Sequence, residues 1–384
     1  MRVVADENIP AVEALLADQV TVRRLPGRDI RRGHLVDADA LLVRSVTRVD
    51  AALLQGTSVK FVGTATAGTD HIDQAWLDTA GIRFVNAPGA NANSVVEYVL
   101  CAIAEVDDYL ERLLAGARVG IVGYGHVGKA LAARFDALGI QHLAYDPWLD
   151  AGEIASLAPL DDVLRCEVIC LHAELTRRQP WPSYHLLDQQ RLAQLQQTQL
   201  LINASRGAVV DNAALLCRLR APGAPQVLLD VWEGEPYIRA DLLQQVRLGT
   251  AHIAGYSLDG KVLATRMLCE ALATQNPALA VQDIDPLSPL PLLEIEAGSG
   301  PADALRHLLA ASYAIGDDDK LLREAILDID SSAAGDNFDS LRKHYARRRE
   351  LAGRTVALTA QTKSFSTLVA ALGCIAVTRG TEDA

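Results

Sequence analysis

Residues 118–146, RVGIVGYGHVGKALAARFDALGIQHLAYD, decide the fold of the central part of the chain. An apolar run leads into Gly123, Gly125 and Gly128, a helical pattern follows, and a second apolar run ends at Asp146. This order is typical of a dinucleotide-binding unit: the first glycine permits a tight turn, the second lets a pyrophosphate approach the backbone, and the third lets the helix pack on the strand. The alternative is a glycine-rich turn that binds nothing.

The ligand that this stretch predicts is NAD. Backbone N–H groups at the start of the helix, at His126 and Val127, would face the pyrophosphate. Asp146 lies 18 residues after Gly128, where a carboxylate accepts hydrogen bonds from the ribose hydroxyls and would repel the additional phosphate of NADP. For Asp146 the alternative is a turn-forming role ahead of Pro147.

Apolar runs and helical patterns alternate on both sides of this stretch, which predicts α/β domains with parallel sheets. Four strand-like runs precede it and three more follow it, up to about residue 257. Five prolines between 277 and 301 then indicate a boundary. We predict a first domain at 1–95, to which 258–280 returns, a Rossmann-type NAD-binding domain at 96–257, and a smaller α+β domain at 281–384.

Composition narrows the class of protein. The 384 residues are half apolar and 22% charged, which excludes a disordered chain, and the net charge of -12 disfavours a nucleic-acid binder.

The N-terminus, MRVVADENIP, does not resemble a secretory signal, and the longest uncharged stretch near the end, 364–378, is too short to span a bilayer. Six cysteines without a Cys-x-x-Cys pair fit a reducing compartment, and packing explains Cys166 and Cys170 better than metal binding does. We therefore expect a cytoplasmic protein with no metal site and neither nucleic-acid nor membrane partners.

Three polar groups follow successive strand-like runs in the second half of the NAD-binding domain. Arg206 lies in LLINASRGAVVDN, Glu235 in VLLDVWEGEP and His252 in GTAHIAGYS. A guanidinium suits a carboxylate substrate, an imidazole removes a hydroxyl proton near neutral pH, and a carboxylate orients that imidazole. The set is sufficient to oxidise a 2-hydroxy acid, although each residue alone is more often structural or solvated.

These motifs resemble the D-2-hydroxyacid dehydrogenase family over nearly the whole chain. The Arg, Glu and His pattern is shared by many members and therefore indicates only the reaction class. Four segments, RSVT, TATAGTDHID, HIAGYSLDGK and FDSLRKHYARRRE, are similar to those of members that oxidise a phosphorylated sugar acid on the route to pyridoxal phosphate.

The resemblance implies NAD-dependent oxidation of 4-phospho-D-erythronate at C2 to (R)-3-hydroxy-2-oxo-4-phosphobutanoate. It also implies a flavodoxin-like substrate (lid) domain and a homodimer formed through the C-terminal domain. Arg206 would bind the substrate carboxylate, His252 would be the acid/base, and Glu235 its partner. Substrate contacts are implied for Ser45, Thr66 and Tyr256, and cofactor contacts for Asp146, Ala173, Ser205, Asp230 and Gly255.

One departure from the family pattern follows the strand-like run EVICL. Where the family commonly has His-Thr-Pro, this chain has His172, Ala173 and Glu174. A side-chain hydroxyl contact to the cofactor is therefore absent at Ala173, whereas a backbone contact would remain.

A basic segment near the end of the chain offers candidates for binding the substrate phosphate. Its cations are Arg342, Lys343, Arg347, Arg348 and Arg349. One hypothesis is that these residues form a solvated helix face. The other is that one or more of them, together with Arg44, neutralises the substrate phosphate, either in the same subunit or across a dimer. Two other functions stay open at this point: another hydroxyacid dehydrogenase, such as a phosphoglycerate dehydrogenase, and an NAD-sensing binding protein.

Overall fold

The computed structural model describes residues 1–150, 152–327, 329, 331–345 and 348–378, which belong to two compact units. The first unit holds Met1–Asn91 and Ser257–Leu290, and the second holds Ala92–Tyr256 and the chain from Pro291 onward. The division into three domains stays a prediction. In the structure the C-terminal segment and the predicted NAD-binding domain share one compact unit.

The first unit is built on a five-stranded sheet in which every described pair of neighbouring strands is parallel. Its first segment contains β1 (Arg2–Asp6), α1 (Val12–Leu16), β2 (Thr21–Leu25), β3 (Ala40–Val43), α2 (Ala51–Leu54), β4 (Phe61–Thr64), α3 (Gln74–Thr79) and β5 (Arg83–Asn86). The strand order β2-β1-β3-β4-β5 is that of a flavodoxin-like sheet. In such a sheet ligands bind beyond the carboxyl ends of the strands.

The second unit begins with two helices and a six-stranded parallel sheet. In chain order the elements are α4 (Ala92–Glu105), α5 (Tyr109–Leu114), β6 (Arg118–Val122), α6 (His126–Leu138), β7 (Gln141–Tyr145), α7 (Leu160–Val163), β8 (Val168–Leu171), α8 (Gln189–Leu192), β9 (Leu200–Asn203), α9 (Asn212–Leu219), β10 (Gln226–Leu229), α10 (Ala240–Leu243) and β11 (Leu248–Gly249). The strand order is β11-β10-β9-β8-β6-β7, and a single parallel bridge joins Ala144 of β7 to Leu157. This is the Rossmann order with its third strand reduced to one bridge.

Two helices, rather than one continuous helix, precede the six-stranded sheet. α4 ends at Glu105 and α5 starts at Tyr109. Between them Asp107 has a φ of 44°, in the left-handed region that a continuing helix cannot contain. Apolar periodicity continues through this break, because Val106 and Tyr109 are both buried.

The chain then returns to the first unit through α11 (Leu258–Gln275). Ser257 caps this helix by accepting a hydrogen bond from the Gly260 N–H at 2.9 Å. Leu268, Cys269 and Leu272 are buried against apolar residues of the first sheet, including Phe61. α11 therefore completes a core whose strands lie near the start of the chain.

The C-terminal segment carries the remaining elements of the second unit. They are β12 (Leu293–Glu294), α12 (Pro301–Ser312), α13 (Ile315–Ile326), α14 (Ser331–Lys343), β13 (Thr355–Leu358), α15 (Ser366–Ala371) and β14 (Ile375–Thr378). The strands form a parallel sheet in the order β12-β13-β14, and α12 packs against α4. One apolar core joins residues of this segment, such as Leu305 and Val356, to residues of α4 and β6.

The predicted α/β class with a small C-terminal α+β part is confirmed by these sheets. None of the described helices is both long and apolar enough to cross a bilayer.

Candidate active site

The turn between β6 and α6 has the form that the glycine pattern predicts. Gly123 has a φ of 94°, and a Cβ atom there would lie 2.5 Å from the Ala173 nitrogen. A Cβ at Gly128 would lie 2.1 Å from the Gly123 carbonyl oxygen, so the helix and the turn approach as closely as glycine permits. At Gly125 a Cβ atom would meet nothing within 4 Å, which leaves open space beside the turn.

The space beside this turn fits the pyrophosphate and ribose of a dinucleotide. α6 begins at His126 with Gly125 as its N-cap, and no side chain caps it, so its first N–H groups, including that of Val127, are available to an anion. Asp146 follows β7, and its carboxylate accepts hydrogen bonds from the N–H groups of Tyr124, at 2.9 Å, and Trp148, at 3.0 Å. The acid is thereby held next to the glycine turn, as NAD binding requires.

Arg206 lies in the turn that follows β9. Asn203, the last residue of β9, donates from its side-chain amide to the Arg206 carbonyl at 3.1 Å, and its side-chain oxygen accepts from both the N–H and the hydroxyl of Ser205. Arg206 is half-buried, and its Nη1 donates to the Ser205 carbonyl at 2.8 Å. The buried amide of Asn203 therefore fixes the turn that presents the guanidinium.

The Arg206 turn lies directly against the loop that follows β10. A Cβ atom at Gly207 would lie 2.0 Å from the carbonyl carbon and oxygen of Trp232. Trp232 also donates its N–H to Glu235 at 2.7 Å and its indole N–H to the Thr250 carbonyl at 2.9 Å. The glycine thus brings the segment of Arg206 and the loop of Glu235 into contact.

Glu235 and His252 form a close pair. Glu235 Oε2 lies 2.7 Å from His252 Nδ1, and the two side chains are 19% and 30% exposed. Burial of the Glu235 carboxyl raises its pKa, but the hydrogen bond and charge of His252, the Trp232 N–H and the charge of Arg342 outweigh this and hold that pKa below its usual value. An ionised Glu235 orients the imidazole and leaves Nε2 as the proton acceptor.

The backbone of His252 adopts a conformation that is unusual for a residue with a side chain. Its φ is 56°, in the left-handed region, where a residue of this type costs of the order of 1–3 kcal/mol unless the surroundings hold it. Asp230, which is 1% exposed, accepts hydrogen bonds from the N–H groups of Ile253, at 2.7 Å, and Ala254, at 3.0 Å. Its carbonyl accepts from the His252 N–H at 2.7 Å. Asp230, expected as a cofactor contact, thus holds the loop of His252, and its contact with the cofactor stays a prediction.

Tyr256 and Arg342 lie together close to this pair. Arg342, in α14, donates to the Tyr256 hydroxyl at 3.3 Å, and its charge contributes to the lowered pKa of Glu235. Tyr256 is half-buried, and its ring packs edge-on against Tyr345. One arginine of the C-terminal basic segment therefore reaches the surroundings of Glu235.

The first unit places the other predicted substrate contacts after neighbouring strands. Arg44 and the exposed Ser45 follow β3, and Thr66 follows β4. Arg44 Nε lies 3.2 Å from the fully buried carboxylate of Asp6, at the end of β1. The Thr66 hydroxyl contacts the Thr64 hydroxyl at 2.8 Å, and Thr64 in turn contacts His71 Nε2 at 2.9 Å.

Comparison with known proteins gives two matches to family models. Residues 100–254 match the NAD-binding domain of D-isomer specific 2-hydroxyacid dehydrogenases, and residues 286–373 match a domain of unknown function. The second unit therefore contains an NAD-binding domain, and the predicted cofactor is confirmed.

Full-length relatives decide the family. The chain is 44% identical to erythronate-4-phosphate dehydrogenase of Cellvibrio japonicus, over 97% of this chain and 99% of that protein. It is also 44% identical to the enzyme of the same name from Pseudomonas syringae pv. syringae, over 98% of this chain and all of that protein. The chain belongs to the erythronate-4-phosphate dehydrogenase family. The narrower resemblance seen in the sequence motifs is thereby confirmed.

Solved structures support the fold of this erythronate-4-phosphate dehydrogenase family member. D-lactate dehydrogenase of Aquifex aeolicus, in complex with NAD and lactic acid, matches with a TM-score of 0.57 at 20% identity, over 72% of this chain and 96% of that one. NAD-dependent formate dehydrogenase of Staphylococcus aureus, in complex with NAD, matches with a TM-score of 0.57 at 20% identity, over 74% of this chain and 98% of that one. Both matches leave about a quarter of the present chain without a counterpart.

In this erythronate-4-phosphate dehydrogenase family member, the basic residues of the C-terminal segment have different surroundings. Arg342 lies by Tyr256, Lys343 is exposed, and Arg349 is half-buried. Arg348 is only 7% exposed and donates to Ser94 and Ala254 in the interior. The hypothesis of a solvated helix face is therefore wrong for Arg348, because its contacts are internal, while the phosphate hypothesis stays a prediction for the segment. Arg347 lies outside the described residues.

A mixed cluster of one histidine and two acids lies near the loop of Glu235. His185 Nε2 contacts Glu233 at 2.8 Å, and His185 Nδ1 lies 3.7 Å from Asp211. Asp211 also caps α9 by accepting from the N–H groups of Ala213 and Ala214. The two imidazole nitrogens therefore face different carboxylates.

Several residues that shape the site were not predicted from the sequence. Asp6 is the last residue of β1, and Asn203 is the last residue of β9. Polar residues at strand ends were the signal that selected Arg206, and the same signal selects Asp6 and Asn203. Arg348 was selected only as a member of the basic segment, and no local signal predicts its interior contacts, because its partners Ser94 and Ala254 lie 254 and 94 positions away in the chain.

Proposed function

We propose that this chain oxidises 4-phospho-D-erythronate at C2 to (R)-3-hydroxy-2-oxo-4-phosphobutanoate with NAD, a step of vitamin B6 biosynthesis. The observation that carries the proposal is the pair of Glu235 and His252, 2.7 Å apart, with the loop of Glu235 packed against the Arg206 turn. The full-length similarity to proteins named erythronate-4-phosphate dehydrogenase supports the choice of substrate.

His252 is the base in the proposed reaction. Its Nδ1 donates to Glu235, so Nε2 takes the proton of the substrate 2-hydroxyl group. As the O–H bond breaks, the C2–H bond breaks as well, its electron pair leaves with the hydrogen as hydride, and the C2–O bond becomes a carbonyl. Bound NAD supplies the hydride acceptor. Glu235 stabilises the imidazolium that the proton transfer creates.

Arg206 binds the substrate carboxylate in this proposal. A guanidinium can donate two parallel hydrogen bonds to a carboxylate, and the neighbouring oxygen at C2 lies within reach of the same group. Ser45, Thr66 and Tyr256 are proposed as further substrate contacts. Ala173, Ser205, Asp230 and Gly255 are proposed as cofactor contacts, together with Asp146 and the glycine turn.

Arg44 and Arg342 are proposed to neutralise the substrate phosphate. Arg44 is anchored by the buried carboxylate of Asp6, and Arg342 by the Tyr256 hydroxyl. Each is a cation held beside a proposed substrate contact, Ser45 in the first case and Tyr256 in the second. A guanidinium suits a phosphate because it can donate two parallel hydrogen bonds to it.

A homodimer formed through the C-terminal segment is also proposed. Within the described residues, no strand pairs with the outer edge of β14, where Ile375 is 56% and Val377 38% exposed. An exposed apolar edge strand can pair with the same strand of a second copy about a two-fold axis.

A location in the cytoplasm is also proposed. The six cysteines are all free, which agrees with a reducing cytoplasm.

A substrate panel with two variants tests the proposed function. NADH formation should be fastest with 4-phospho-D-erythronate and much slower with 3-phosphoglycerate and D-lactate. His252→Ala should lower kcat by about 1,000-fold or more, and Glu235→Gln by roughly 10- to 100-fold, while NADH binding followed by fluorescence changes little.

Three outcomes would contradict the proposal. A preference for 3-phosphoglycerate would indicate a different hydroxyacid dehydrogenase. Tight NADH binding without turnover of any substrate would indicate an NAD-sensing protein. Full activity of His252→Ala would remove His252 from the reaction.

A further inference from the structure

Arg348 connects the C-terminal segment to the loop that carries His252. Its Nη2 donates to the Ala254 carbonyl at 2.8 Å and to the Ser94 carbonyl at 3.0 Å, and it also contacts the Ser94 hydroxyl. The Ser94 hydroxyl donates to the same Ala254 carbonyl at 3.1 Å. Arg348 thus joins three parts of the second unit: the segment after α14, the start of α4 and the loop after β11.

The burial of Arg348 indicates that this contact is not incidental. The residue is 7% exposed, and its guanidinium carbon lies 4.5 Å from the centre of the Tyr313 ring. Removing a guanidinium from water is costly, and hydrogen bonds to its partners offset part of that cost. Here Nη2 has two backbone carbonyls and a hydroxyl as partners and the guanidinium lies over an aromatic ring, whereas Nε and Nη1 are buried without a hydrogen-bond partner among the described residues.

The loop that Arg348 contacts is held from both sides. Asp230 binds the N–H groups of Ile253 and Ala254, and Arg348 binds the carbonyl of Ala254. Between β11 and these contacts lies His252, in its left-handed conformation. A strained backbone persists only where the surroundings hold it, so both contacts oppose relaxation of the loop.

A second network reinforces the Asp230 side of the loop. Thr250 donates to Asp230 at 2.7 Å and contacts the Tyr98 hydroxyl at 2.6 Å. Tyr98 stacks on Tyr313, the ring that also covers Arg348. The two anchors of the loop therefore meet at one aromatic pair, formed by α4 and the end of α12.

We propose that Arg348 is a positioning residue that keeps His252 aligned with Glu235 by holding the carbonyl of Ala254. The proposal rests on the proposed role of His252 as the base. It assigns a task to residues 286–373, the part of the chain that matches a domain of unknown function. This part supplies an anchor of the catalytic loop within the same chain.

The test compares Arg348→Met and Arg348→Gln with a matched control. Arg354→Met removes another arginine of the same segment, which donates to the carbonyls of Ala311 and Pro291 and does not touch the loop. We expect both Arg348 variants to lower kcat by roughly 10- to 100-fold, because a shift of about 1 Å in a reacting group costs up to about 100-fold. KM for the phosphorylated substrate and the Kd for NADH should stay within about three-fold. The deuterium isotope effect on kcat with 2-deuterated substrate should rise, as proton and hydride transfer become slower than product release.

The outcomes separate this proposal from the proposed function. If His252→Ala abolishes turnover and both Arg348 variants match Arg354→Met in kcat and isotope effect, the positioning role is wrong and the role of His252 stands. An equal loss in kcat for Arg348→Met and Arg354→Met would show a general effect of the segment and also overturn the proposal. If Arg348→Met does not fold, Arg348→Gln decides alone: a selective fall in kcat supports the role, and an unchanged kcat refutes it.

Discussion

His172 is the residue whose surroundings give the clearest dependence of stability on pH. It follows β8, beside the Ala173 backbone that packs on Gly123, and both ring nitrogens are buried without a partner among the described residues. Burial lowers the pKa of His172 to about 4, whereas an unfolded chain has a histidine pKa of about 6.5. Below pH 6.5 the unfolded state therefore binds more protons than the folded state, and stability falls with falling pH.

The variant His172→Asn tests this linkage. Between about pH 7.5 and about pH 5, protonation of His172 in the unfolded chain should lower the free energy of unfolding by about 2 kcal/mol. His172→Asn should remove that part of the pH dependence in urea unfolding curves. His307→Asn, which removes an exposed histidine, provides the control for the substitution itself. Parallel curves for the parent and His172→Asn would contradict the prediction.

At the level of secondary-structure elements, the turn after β9 and the loop after β10 touch at Gly207. The variant Gly207→Ala would place a Cβ atom 2.0 Å from the Trp232 carbonyl, so the Arg206 turn and the Glu235 loop would have to separate. We expect a loss of stability of about 1–3 kcal/mol and a fall in kcat of at least about ten-fold. Steady-state kinetics and thermal unfolding measure the two effects. Gly33→Ala, where a Cβ meets nothing within 4 Å, should leave kcat unchanged, and equal behaviour of the two variants would refute the argument.

The sequence predicted the central elements of each sheet better than its edges. Strands such as β6, β8 and β9 are buried on both faces and read as continuous apolar runs. β2, with the sequence TVRRL, is an edge strand with two arginines, and β11 and β12 have only two residues each, so none of the three was predicted. At these positions pairing with a neighbour, rather than the strand's own pattern, creates the strand.

Among the residues of the candidate site, those with a local signal in the sequence were predicted, whereas contacts with distant residues were not. Arg206, Glu235 and His252 were predicted because chemistry and strand-end position select them together, and the structure brings Glu235 and His252 into contact. The two-sided anchoring of the His252 loop was not predicted, since it depends on backbone groups and on Arg348, which is distant in sequence. Local pattern does not contain information on which distant side chain occupies a buried space.

At the level of the whole molecule, the proposed dimer can be tested by substitutions in β14. The double variant Ile375→Lys with Val377→Lys places two charges on the exposed apolar edge strand. If this edge pairs with a second copy, the variant should sediment as a monomer where the parent sediments as a dimer. Leu321→Lys is the control, because Leu321 is 48% exposed but lies in α13. A dimer that survives the β14 charges would place the interface elsewhere.

The position of α11 in the chain has a consequence for biosynthesis. The strands β1, β3 and β4 leave the ribosome roughly 200 residues before Leu268, Cys269 and Leu272, which cover one face of their sheet. During that interval the part of the nascent sheet that α11 will cover stays exposed, so chaperones have a binding surface and the first unit cannot finish folding until α11 has left the ribosome. Fragments ending before residue 258 would keep that face exposed, and a shortened chain meant to yield this unit alone needs α11 joined to it.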